Sequence, residues 1–379
     1  MNVLTIIDSF KGTITSKRLG EITKEELEKK GHNVDIIPVA DGGDGFCDAI
    51  EDILITKKTK YKIRKLKVYN PLFKKIDSYY LIDKDNNVAY IELARASGIN
   101  LLSREELNPF KTSTYGFGEL ISDAIKQGIK KIVLGIGGSA TDDAGVGLLE
   151  ALGLKFYNQD EEELSKMNNE KAGLVSHIDC DLLREKLKEI EFIVLSDVTN
   201  PLLGDSGATY VFSPQKGARI EDLETLEKNI MNFSSLNKTH INDCGAGAAG
   251  GVGYALITYL NAKLYSGIDY ILDLVDYDKL IEKYDIIITG EGKIDSQSLC
   301  GKVVFRISNR SKDKKVIVVC AINELQNIDL KLYNVDEIYS VVGDNISIDE
   351  SMNHPDECYR KIINNIKIWV VLLNNSFYI

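Results

Sequence analysis

The chain has 379 residues, 44% of them hydrophobic, and a formal net charge of −11. That length exceeds what one ordinary core organises, so two domains are expected. The acidic balance argues against nucleic acid as a principal partner, because that role needs a positive face against phosphate.

No membrane partner is expected either. The start, MNVLTIIDSFKG, has no basic residue ahead of its apolar run, which meets Asp8 after a strand's length; residues 366–373 are interrupted by Lys367 and too short to span a bilayer. Cys47, Cys180, Cys244, Cys300, Cys320 and Cys358 form no CxxC pair, and the four histidines do not cluster. Reduced thiols, a cytoplasmic location and no zinc site are the expectation.

In chain order, residues 2–7 read as a buried-type strand followed by the polar turn DSFKGT. Thr15 and Ser16 can cap a helix to about Lys30, with Gly31 as its stop. Residues 34–39 form the next strand, ADGGDG the turn after it, and residues 46–54 a helix. This βαβα start predicts a parallel sheet whose loops collect at the carboxyl ends of the strands, where open α/β sheets bind ligands. Between 57 and 93 alternating segments such as YKIRKLKVY and SYYLI read as strands with turns, and a second domain starts there.

Residues 114–127 predict an amphipathic helix, leading into a strand at 132–134 and the loop GIGGSATDDAG, after which Val146, Leu148, Leu149 and Leu152 share a helix face. Strand, glycine-rich turn and helix together hold an anion well, because backbone N–H groups and the positive end of the helix dipole face one point. Residues 158–190 read as polar loop or helix without chemistry, and 221–233 as a solvated helix. A strand at 191–195 ends in SDVTNPLLGDSG, residues 243–256 are a glycine-rich stretch turning into a small-residue helix, and a strand at 285–289 ends in GEGKIDSQ. Strands at 315–319 and 337–341 and a helix from about 355 to 372 complete the chain. The parallel texture of the start thus returns at the end. The expected architecture is two α/β domains with mainly parallel sheets, residues 1–65 plus 285–379 forming one and 66–284 inserted as the other, with the active site in the interdomain cleft.

Five strand ends deliver loops of glycine, aspartate and small hydroxyls: 8–12, 41–45, 137–143, 197–204 and 290–297. Phosphoryl transfer needs such parts, namely backbone donors for phosphate, carboxylates for Mg²⁺ or the acceptor hydroxyl, and a lysine to offset charge. No GxxxxGK[ST], no kinase HRD with DFG and no GxSxG occur, and GAGAAGG fits a dinucleotide fingerprint only loosely.

At this point the residues resemble a known family. DSFKG, PVADGGDG, NPFKTSTYGFGELI, GIGGSATDDAGVGLLEALG, DVTNPLLGDSGATYVFSPQKGA, GAGAAGGVGYAL, SGIDYILDL and ITGEGKIDSQSLCGK, in that order, look like the bacterial type I glycerate kinases. The resemblance implies ATP-dependent, Mg²⁺-requiring phosphorylation of D-glycerate, typically at the 2-hydroxyl, by a two-domain α/β protein. This chain departs from it at Asp142 and Ala144, where the family usually reads SATNDGG, and after Lys302, where GKVVFRIS replaces a proline-bearing segment.

On that footing Lys11, Asp197, Asp41 and Asp44 are the candidate catalytic residues. Asp8, Ser9, Gly42, Gly43, Gly137, Gly138, Ser139, Thr141, Asn200 and Lys216 are expected to bind substrate, and Gly290, Glu291, Gly292, Asp295 and Gln297 the ATP. Asp197 and Glu291 are the candidate Mg²⁺ ligands. The partners expected are D-glycerate and ATP, with the protein a monomer or homodimer. A NAD-dependent oxidoreductase on a small hydroxy acid, a non-catalytic binding protein, and phosphorylation at the 3-hydroxyl remain open alternatives.

Overall fold

The computed structural model describes residues 1–10, 12–39, 42–43, 45–180, 187–295, 303–325 and 329–368. The chain divides into two compact units: Met1–Val39 with Ile271–Ile379, and Ala40–Tyr270.

The first unit carries an all-parallel sheet. At its centre β1 (Asn2–Ile7) pairs with β2 (Asn33–Ile36) on one side and β12 (Ile286–Ile294) on the other; β13 (Lys315–Asn323) and β14 (Glu337–Ser340) continue the order β14-β13-β12-β1-β2. The runs VLTII, III and VIVVC are buried along their length, as a parallel sheet covered on both faces requires. The helix Ser16–Lys29 lays Leu19, Ile22 and Leu27 into this core. Thr15 Oγ1 accepts from Arg18 N at 3.3 Å to cap its start, and Gly31 turns away at φ +83°. The last helix is shorter than expected. It runs Pro355–Asn365, because Ile366 is extended (ψ 120°), and residues 369–379 lie outside the described set.

The second unit holds a six-stranded sheet, β11 (Lys263–Tyr265)-β10 (Glu191–Leu195)-β6 (Lys131–Gly135)-β5 (Val88–Glu92)-β4 (Lys75–Asp83)-β3 (Tyr61–Tyr69). Its first four strands are parallel, and β3 and β4 extend it as an antiparallel meander. Full-length pairing of β3 with β4, from Tyr61↔Asp83 to Tyr69↔Lys75, is why residues 40–65 join this unit rather than the N-terminal one. Conversely, Tyr277, whose hydroxyl lies 2.6 Å from Ser311 Oγ, ties the segment before β12 to the first unit. The stretch 158–190, read as loop or helix, instead contributes two strands of a small antiparallel sheet, β8 (Glu163–Leu164)-β7 (Lys155–Tyr157)-β9 (His177–Asp179). Phe117, Leu120, Leu149, Phe156, Phe233 and Tyr254 fill the core behind the main sheet. No helix among the described residues is long and apolar enough to cross a membrane.

Candidate active site

In the second unit the parallel strands end level: Glu92, Gly135, Leu195 and Tyr265 are register partners across β5, β6, β10 and β11. Whatever follows β6 and β10 therefore emerges side by side at the carboxyl edge. The Gly42-Gly43 segment lies across the same edge, with Gly42 O accepting from Gly137 N at 2.9 Å. Gly42 sits at φ +86°, and a Cβ there would stand 2.5 Å from Leu195 O, so only glycine permits this approach.

The loop after β6 is tied down from behind, carbonyl by carbonyl. Ile99 N donates to Gly138 O (2.9 Å), Thr112 Oγ1 to Ala140 O (2.9 Å), Lys216 Nζ to Thr141 O (2.6 Å) and Asn169 Nδ2 to Asp142 O (2.8 Å). In a trans peptide the N–H points opposite the carbonyl. The N–H groups of Ser139, Thr141, Asp142 and Asp143 are thus aimed away from these anchors, the arrangement a backbone anion site uses. Further along, Gly250 O accepts from Ala144 N at 2.9 Å, and Ala144 itself is left-handed (φ +49°). The stretch read as a turn into a small-residue helix is that clamp. Ala249, Gly250 and Gly251 are all left-handed within Ala248–Leu260, and it follows no strand as a dinucleotide fingerprint would.

Four of the candidate residues here have defined surroundings. Ser139 is 7% exposed and its Oγ accepts from Lys216 Nζ at 2.9 Å. Thr141 is fully buried, so the loop presents backbone rather than this hydroxyl. Lys216 is 2% exposed, with both of its bonds running to this loop, at Ser139 Oγ and Thr141 O. Burial pulls its ammonium down to about 8 against the opposing charges of Asp142 and Asp143. Asn200 donates to Ser206 O at 2.7 Å and accepts at its own carbonyl from Gly247 N, which shapes the loop after β10. Asp197, two residues past the end of β10, is exposed at the edge.

Asp142 and Asp143 are both fully buried. Burial raises each carboxyl, Asp143 to about 6, while Thr114 and the N–H groups of Gly145 and Gly147 hold it down. Asp143 is a hub of structure: its oxygens accept from Thr114 N (2.9 Å), Thr114 Oγ1 (2.8 Å), Gly145 N (3.1 Å) and Gly147 N (3.4 Å).

Beside Gly45 opens a cavity of about 440 Å³ lined by Tyr79, Glu92, Arg95 and Asn100 among others. The Arg95 guanidinium lies 4.1 Å over the Tyr79 ring and pairs with Asp48 (2.7 Å) and Glu92 (3.3 Å), so its charge is offset twice. Burial raises the Glu92 carboxyl, against Arg95 and the N–H groups of Cys47 and Gly45.

In the first unit the carboxyl edge is built by β1 and β12, with Ile7 opposite Gly290 and Asp8 N donating to Gly290 O at 2.9 Å. Asp8 and Glu291, 9% and 8% exposed, stand at neighbouring strand positions, and Asp8 Oδ1 accepts from Ser9 N at 2.7 Å. Gly290, Glu291 and Gly292 lie on β12 rather than in a loop, because pairing with β13 continues to Ile294↔Asn323. Asp295 follows, half-buried; Lys293 pairs with Glu324 at 2.8 Å. Lys11, Asp41, Asp44 and Gln297 lie outside the described residues.

Sequence reasoning passed over Thr112, Thr114 and Asn169. The two threonines stand inside a recognised motif, a usable signal; Asn169 sits in a stretch that read as featureless.

Parallel α/β units that gather glycine-rich loops and carboxylates at strand carboxyl ends define the class of small-molecule-binding α/β enzymes. Residues 3–371 match the model of the Glycerate kinase family. The chain is 34% identical to the glycerate kinase of Halalkalibacterium halodurans over 378 residues, 97% of this chain and 98% of that one. It is also 34% identical to the glycerate 2-kinase of Escherichia coli (strain K12), covering 97% and 95%. A crystal structure from Salmonella typhimurium LT2, of a protein assigned as glycerate kinase 2, superposes with a TM-score of 0.79 at 30% identity, covering 96% of each chain. This chain belongs to the glycerate kinase family. It is therefore a kinase, and the oxidoreductase alternative falls away.

Proposed function

We propose that this protein transfers the γ-phosphoryl group of ATP to the 2-hydroxyl of D-glycerate, giving 2-phosphoglycerate. The observation that carries this reading is the family match over residues 3–371, with a glycerate 2-kinase among the full-length relatives. The tethered loop supports it. The Ser139 hydroxyl and the N–H groups of Ser139, Thr141 and Asp142 offer donors to the glycerate carboxylate; Gly42, Gly43, Gly137, Gly138 and Asn200 shape the backbone around them, and Asp8 and Ser9 are assigned to substrate as well. Gly290, Glu291, Gly292 and Asp295, with Gln297, are assigned to the nucleotide. The reaction is placed in the cytoplasm, where ATP is supplied.

A carboxylate at a strand end is a donor of the kind magnesium takes. Mg²⁺ takes one or two carboxylates and completes its shell with phosphate oxygens and water. No group of three or more acidic, histidine or cysteine side chains among the described residues is placed to enclose a metal, whereas Asp197 and Glu291 each offer a carboxylate at a strand end. When bound, the ion neutralises charge on the transferring phosphates. Asp197, with Asp41 or Asp44, orients and deprotonates the acceptor hydroxyl, and Lys11 offsets the charge that develops on the phosphoryl oxygens. Lys11→Ala is therefore expected to lower kcat by about a hundredfold with the fold intact; an unchanged kcat removes Lys11 from the chemistry.

Phosphorus-31 NMR of the product from D-glycerate and Mg·ATP tests the whole reading. One new phosphomonoester, split by the proton on C2, is expected. A 3-phosphate signal, or ATP untouched by glycerate, overturns it.

A further inference from the structure

Lys216 is a buried lysine whose two bonds both run to the loop after β6, at Ser139 Oγ (2.9 Å) and Thr141 O (2.6 Å). An ammonium has only donors, so in the first of these bonds the Ser139 oxygen must be the acceptor. The hydroxyl proton of Ser139 then points elsewhere, and no acceptor for it occurs among the described residues. The second bond draws the Thr141 carbonyl backward and turns the Asp142 N–H the other way. Asp142, fully buried, is the counter-charge; its Oδ2 accepts from Thr209 Oγ1 at 3.0 Å, and its field opposes the loss of the Lys216 proton. Lys216 itself is 2% exposed, so its ammonium acts on its surroundings through the loop it holds.

We propose that Lys216 is a positioning residue which, from behind the loop, fixes Ser139 as a hydrogen-bond donor to the substrate carboxylate, with Asp142 as its buried counter-charge. The inference rests on the reading that this loop holds D-glycerate. The lysine's charge reaches the substrate only through the serine hydroxyl, as a charge-assisted relay. Its effect therefore belongs to glycerate binding and not to the phosphoryl step.

The experiment is steady-state kinetics of Ser139→Ala, Lys216→Met, the Lys216→Met/Asp142→Asn pair and Ser139→Ala/Lys216→Met, with D-glycerate and Mg·ATP varied separately. Lys216→Met leaves Asp142 as a lone buried charge and is prone to misfold; the paired variant removes both charges and retains the shape. In the paired variant the KM for D-glycerate is expected to rise about tenfold or more, the loss of one charge-assisted bond, with kcat and the KM for ATP within about threefold of wild type. Ser139→Ala is expected to match it, and adding Lys216→Met to Ser139→Ala to cost little further, since the two act in series. If Ser139→Ala raises the glycerate KM and the stably folded paired variant does not, the role of Lys216 is overturned while the loop assignment stands. Additive losses in Ser139→Ala/Lys216→Met also overturn it. A glycerate KM untouched by Ser139→Ala overturns the loop assignment itself.

Discussion

Asp143→Ala is expected to destabilise the protein by about 3–5 kcal/mol, the range for stripping a buried carboxylate from its donors. The carboxylate organises the start of the helix Val146–Leu152. Gly145, the N-cap, has no side chain to offer, so Asp143 accepts from Gly145 N and Gly147 N itself and reaches Leu148 N through Thr114, whose Oγ1 accepts that N–H at 2.8 Å. Alanine leaves buried N–H groups without a partner, and the thermal midpoint should fall by about 5–8 °C. Asp143→Asn keeps one acceptor but turns an amide N–H₂ toward donors, and about 1–3 kcal/mol is expected.

The same site carries a pH signature. Burial lifts the Asp143 carboxyl from 3.8 to about 6, so the folded protein binds that proton more tightly than the unfolded chain does. The stability this contributes is present in full below pH 3.8 and is lost as pH rises to about 6. Relative to Asp143→Asn, which does not titrate, the wild-type midpoint should therefore decline across that window. A flat difference, or an alanine variant as stable as wild type, means that water satisfies these donors.

The elements legible in the sequence are those fixed by neighbours along the chain. The helix Ser16–Lys29 announces itself by Thr15 before it and Gly31 after it, and both act locally. The buried strands β1 and β10 show as β-branched runs, because a strand covered on both faces has no polar side to display. What the sequence conceals is decided at long range. β12 runs past Thr289 because β13 offers partners as far as Asn323, a fact absent from the residues GEGKI. The three left-handed residues Ala249, Gly250 and Gly251 read as helix packing. A Cβ on Gly250 would stand 2.0 Å from Thr141 O, so the glycine is there to let the loop after β6 pass. Asn169 meets Asp142 across 27 residues of chain, and Lys216 meets Ser139 across 77. A motif places such a lysine at the site; only the fold decides that it works from behind.

Asp197→Asn is expected to lower kcat by about a hundredfold to a thousandfold, the range for losing a base or a charge stabiliser in the transition state. The substitution retains the shape and removes only the charge. Because Asp197 is exposed at the end of β10, its effect on stability should stay within about 0.5 kcal/mol, as for surface changes generally. That combination, a large kinetic loss with an unmoved thermal midpoint, separates Asp197 from Asp143, where the reverse is expected. Asp205, exposed on the same connection after β10, is the control, and Asp205→Asn should leave kcat within about twofold of wild type. A magnesium titration of the Asp197 variant then sorts its two candidate jobs. If the carboxylate holds the ion, the half-saturating Mg²⁺ concentration rises and excess metal recovers part of kcat. If it takes the proton of the acceptor hydroxyl, the metal requirement stays as in wild type and the acidic limb of the pH–rate profile is lost. A variant with full activity removes Asp197 from the reaction altogether.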